Sequence, residues 1–206
     1  MVPKNSMIEF VFKEHFRLAL HAALLFAVGL FASYPVVKYR VRWLAAVPLA
    51  LLRFVLRLIG PSPALARMAG VTWAFNSVVM FVYMATGFHP LLPKVLGVWM
   101  GLNIGTVIGM APDYEELRTV SRPAAGQWAP PPGLARVCAL LVPVLELPCF
   151  FYAVAMGMSM GQQVQSGALP YLSALAVRSQ AYAALLVPIL LASAVAEVTA
   201  IRGSGP

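Results

Sequence analysis

Leu134–Met160 reads LARVCALLVPVLELPCFFYAVAMGMSM, twenty-seven residues with only two charges, Arg136 and Glu146. About twenty apolar residues in helical form cross ~30 Å of hydrocarbon. In lipid every backbone N–H and C=O must be satisfied within the segment, so such a run is helical. Outward from it the chain keeps the same character. Hydrophobic residues make up 61% of the 206 and charged residues 11%, where a soluble domain carries roughly 25% charged. A soluble fold with so few charges would expose large apolar patches, and a disordered chain would be polar. The class is an all-α polytopic membrane bundle of about five spans plus one amphipathic interfacial helix.

The other spans are expected at about Phe16–Val37, Val71–Phe88, Val95–Met110 and Tyr171–Ile201. They belong to one transmembrane unit, residues 16–201. It is preceded by an amphipathic segment, 1–15, and followed by a disordered tail, 202–206. Residues 43–59 are different. Arg42, Arg53 and Arg57 share one helical face with Ala46 and Ala50, and the rest is mostly Leu, Val, Phe and Trp. A narrow cationic stripe on an apolar helix suits the headgroup plane, where arginines reach lipid phosphates. A sixth span with snorkelling arginines is the alternative.

The net charge is +8. Because the basic residues flank apolar spans, anionic lipid is the expected partner and nucleic acid is not. With five spans, one side holds Lys38, Arg40, Arg42, Arg53, Arg57, Arg67, Arg118, Arg122, Arg136 and Arg202. The other holds Lys4, Lys13, Arg17 and Lys94. The positive-inside rule makes the first side cytoplasmic, with the 112–133 loop and the C-terminus. This fits the inner membrane of a bacterium or archaeon. The loop carries Asp113, Glu115, Glu116, Arg118 and Arg122, so 113–122 is also a candidate docking segment for a cytoplasmic or membrane partner.

Gly97, Gly101, Gly105 and Gly109 fall every fourth residue. At that spacing they form one bare stripe on which a second helix backbone can settle, in the same chain or in a second copy. Ala153, Gly157 and Gly161 repeat the pattern. Polar residues inside spans are few. An ionised carboxylate facing lipid costs ~3 kcal/mol at the bilayer centre, so Glu146 and Glu197 should face protein or water. Pro143 and Pro148 bracket Glu146, and each frees a carbonyl. That suggests a helix broken around the acid, as in transporters. Asn76 and Asn103 can bridge helices, and His21 and Arg178 could partner an acid. Glu146, Glu197, Asn76 and Asn103 are the candidate binding residues. Cys138 and Cys149 are eleven apart, roughly 16 Å along a helix, too far for a disulfide. No metal spacing, phosphate-binding loop or nucleophile elbow occurs, so neither cofactor nor catalysis is expected.

Over about residues 66–200 the chain resembles the stage II sporulation protein M family. The resemblance rests on Phe75-Asn76, Gly87, the Gly97–Gly109 helix with Asn103, Leu141–Pro148, Gly157, Gly161 and Leu191–Glu197. The family pattern around the fourth span is Pro-His-Gly, two apolar residues, Glu, apolar, Pro. Glu146 and Pro148 match it; Val142 stands for the His and Pro143 for the Gly. The resemblance implies a non-enzymatic helical membrane bundle, a scaffold like its namesake, which serves cell-wall hydrolases during engulfment, and a homodimer. A small channel or transporter passing a cation or proton near Glu146 is the alternative function.

Overall fold

The computed structural model describes residues 10–60, 63–110 and 130–203. Seven α-helices account for nearly all of them, and no strand occurs among the described residues. They are α1 (Phe16–Lys38), α2 (Arg42–Ile59), α3 (Leu65–Ala85), α4 (Leu92–Met110), α5 (Pro132–Gln165), α6 (Tyr171–Ala181) and α7 (Val187–Gly203). A π-helical turn, Phe10–Glu14, precedes α1, and a 3-10 turn, Thr86–Phe88, extends α3. Five elements are long and apolar enough to span a membrane: α1, α3 with its 3-10 turn, α4, α5, and the rod Tyr171–Gly203. The docking segment 113–122, most of the N-terminal segment and the end of the tail lie outside the described residues.

The prolines in the spans correct one expectation. Helix α5 is continuous through Pro143 and Pro148 for all 34 residues, so Glu146 sits on an unbroken helix. Packed neighbours hold the helix through the lost hydrogen bonds, as is common in membrane helices. In the last rod the distortion is larger. A π-helical turn at Tyr182–Leu186 joins α6 to α7 just before Pro188. A proline clashes with the carbonyl four residues back, and a π turn is one way to move that carbonyl aside.

Helix α4 lies most closely on α1, and α5 on α7, with α3 touching both α5 and α7. The glycine stripe is used within the chain. A Cβ on Gly101 would run into the Phe26 carbonyl, one on Gly29 into the Val98 carbonyl, and one on Gly109 would lie 2.7 Å from Val37 Cγ2. Backbones this close gain dispersion contacts, which drive association where lipid is as apolar as the protein. A second close approach seats Gly157 of α5 2.9 Å, counted from an added Cβ, from the Tyr83 carbonyl of α3. Between these seams lies the core. Phe26, Phe150, Phe151 and Tyr83 pack with ring centroids 5.7–5.8 Å apart. Tilted and edge-on geometries of this kind suit the ring quadrupole. Met80, Met84, Met156 and Met158 fill the irregular gaps between them.

Helix α2 does not run through this bundle. Ala45 and Leu49 pack on Met110, with Val37 beside them. Its far end, Ile59, packs on Met68 and Val198. These partners belong to the last turns of α1, α4 and α7 and the first turn of α3, so both ends of α2 meet the same end of the bundle. Gly60, with φ of 79°, makes the turn into α3 in a backbone region that other residues adopt with strain. Arg42, Arg53 and Arg57 lie on the exposed face of α2, together with Ala46 and Ala50.

Candidate functional site

Four helices bring an amide or a carboxylate to a common cavity. Asn76 comes from α3, Asn103 from α4, Glu146 from α5 and Glu197 from α7, and all four line a cavity of about 300 Å³. The amide Nδ2 of Asn76 donates to Glu146 Oε1 at 3.0 Å. Glu197 lines the same cavity. Asn103 is only 8% exposed, and its Oδ1 has no hydrogen-bond partner. Buried amide oxygens are nearly always bonded, so this one is a vacant acceptor at the cavity wall.

Apart from Thr72 and the Tyr83 hydroxyl, the rest of the lining is apolar. Helix α2 contributes Pro48, Leu51, Leu52 and Val55; α3 and α4 contribute Phe75, Val79, Met100 and Ile104 among others. The Tyr83 hydroxyl, also on the wall, donates to Met100 Sδ at 3.6 Å. Among the described residues no Lys, Arg or His lines the cavity, and no cluster of His, Cys, Asp and Glu could hold a metal ion.

Other polar residues inside the spans have separate settings. Arg178, a candidate partner for an acid, has Glu14 as a charged neighbour and makes its hydrogen bonds to neutral acceptors. It donates to the carbonyls of Met156 and Ala174, to Ser159 Oγ and to Gln163 Oε1, at 2.9–3.2 Å. It thereby ties α6 to α5, away from the cavity. His21 is exposed on α1. Arg202, counted with the headgroup charges, is buried and donates to the Pro63 carbonyl and to Met68 Sδ. Cys138 and Cys149 are buried free thiols. The contributions of Tyr83 and α2 to the wall have no mark in the sequence. Tyr83 is one aromatic among several, and the buried face of α2 reads like any core-facing stripe.

The fold and site define an integral membrane helical bundle with a carboxylate-bearing cavity under a surface helix. A family model described as Stage II sporulation protein M matches residues 22–200, and the chain belongs to that family. The match takes in α1 as well as the stretch on which the resemblance rests. No curated protein and no solved structure matches the chain.

Proposed function

We propose that this protein is a non-enzymatic, permease-like subunit of the bacterial or archaeal plasma membrane. Its C-terminus is cytoplasmic, and it binds a cation or proton at Glu146, Glu197, Asn76 and Asn103. The observation that supports this reading is the convergence of those four residues, from four helices, on one cavity without a basic residue. Two carboxylates and no basic residue, in a site of low dielectric, favour a positive guest. The scaffold role of the namesake has no comparable support here, because the 113–122 segment lies outside the described residues. A homodimer is likewise left to the resemblance, since the glycine stripe is already packed on α1.

The test is proton and monovalent-cation flux into liposomes holding the purified chain. Wild type should pass one of these ions down its gradient, and Glu146→Gln should reduce the rate at least tenfold. If no gradient drives flux and a second protein co-purifies with the chain, the protein is a scaffold.

A further inference from the structure

We propose that the cavity takes a small organic cation, a protonated amine on an apolar body, in place of a hydrated metal ion. This rests on the reading of the cavity as a cation site and names the class of its guest. Size is the first ground. The cavity measures about 300 Å³. A liquid water occupies about 30 Å³, so the space suits roughly ten non-hydrogen atoms and is far too large for one bare ion. The wall is the second. An ammonium group has three N–H donors. The cavity offers the Glu146 and Glu197 carboxylates and the unpartnered Oδ1 of Asn103, on a residue more than nine-tenths buried. Beyond these acceptors, Asn76, Thr72 and the Tyr83 hydroxyl, the surface is aliphatic and aromatic. Because most of that wall is hydrocarbon, it gives a hydrated divalent ion, which keeps a shell of six or more oxygens, little to bind. It does suit a hydrocarbon body, and the aromatic residues Phe75 and Tyr83 are part of it. The third ground is the exposed part of the lining. Two lining residues are themselves exposed, Leu51 of α2 at 40% and Ile108 of α4 at 66%. Both are apolar, so a guest entering beside them crosses a greasy rim that favours an amphiphile over a hydrated ion.

The full chain in phosphatidylcholine nanodiscs tests this with two probes of equal size, radiolabelled 2-phenylethylamine and its neutral isostere 2-phenylethanol. The amine should bind saturably and at least tenfold more tightly than the alcohol. The double substitution Glu146→Gln and Glu197→Gln should remove that preference, while Glu146→Asp should keep most of it. The wild-type ratio decides the matter even if the double variant fails to fold. Equal binding of amine and alcohol overturns the proposal. So does absence of saturable amine binding, and the flux assay then separates two cases. Flux that depends on Glu146 leaves the cation site standing with an inorganic guest, whereas no flux removes the cation site as well.

Discussion

Gly101 and Gly70 are the same residue type in two membrane helices, and their surroundings give them opposite tolerance for a methyl group. At Gly101 an added Cβ meets the Phe26 carbonyl and the backbone of Leu30, atoms fixed in α1. At Gly70, on α3, nothing lies within 4 Å of that position. Gly101→Ala should therefore force α1 and α4 apart and lower stability by about 2 kcal/mol, the usual range for overpacking. Gly70→Ala should be neutral or raise stability by up to ~1 kcal/mol through helix propensity. Unfolding by SDS titration from a mild detergent reads both, and equal effects would contradict the close approach. At this scale the sequence is informative about which residues are unusual. A Glu or Asn inside an apolar run is costly, so Glu146, Glu197, Asn76 and Asn103 stand out without coordinates. It is silent about partners. Nothing local marks Gly29 as the residue on which the backbone of Val98 and Leu102 settles, because a single glycine in α1 has no period. Nor does spacing disclose that Arg178 is satisfied by carbonyls, a serine and a glutamine.

At the scale of elements, α2 is the part whose sequence pattern and structural place agree most directly. A cationic stripe at helical spacing implies one polar face, and the fold leaves that face exposed while the other packs on four helix ends. The prolines of α5 show the opposite case. A local rule, that proline breaks a helix, gives way to neighbours on α3 and α7 that keep α5 continuous, and these are long-range facts. The exposed face of α2 carries its own expectation. Each basic residue near an anionic surface contributes about 1 kcal/mol, roughly fivefold in affinity. Replacing Arg42, Arg53 and Arg57 by Ala should weaken retention of phosphatidylglycerol by roughly a hundredfold at low salt, and by less as screening grows. Native mass spectrometry of the chain with mixed phosphatidylglycerol and phosphatidylcholine reads that retention. Unchanged preference for the anionic lipid would show that the stripe does not face phosphates. The substitutions leave the cavity-lining residues of α2, Pro48, Leu51, Leu52 and Val55, in place.

For the whole molecule the open matter is the path of the chain through the membrane, which hydropathy alone leaves at five or six crossings. The structure favours five, because both ends of α2 reach the same end of the bundle as the end of α1 and the start of α3. That arrangement sends the turns between helices to defined sides. The α3–α4 turn at His89 and the α5–α6 turn at Gly167 share one side, and Tyr39, between α1 and α2, lies on the other. All three positions are exposed. If α2 crossed the bilayer, Tyr39 would move to the side of His89 and Gly167. Single cysteines at these positions, in a chain whose Cys138 and Cys149 are replaced by Ala, distinguish the two paths. A membrane-impermeant maleimide applied to intact cells should label His89→Cys and Gly167→Cys. It should spare Tyr39→Cys until the membrane is opened, since the basic residues around α2 favour the cytoplasmic face. Labelling of all three from outside would make α2 a sixth span. It would then no longer lie across one end of the bundle, and the cavity would lose the wall formed by Pro48, Leu51, Leu52 and Val55.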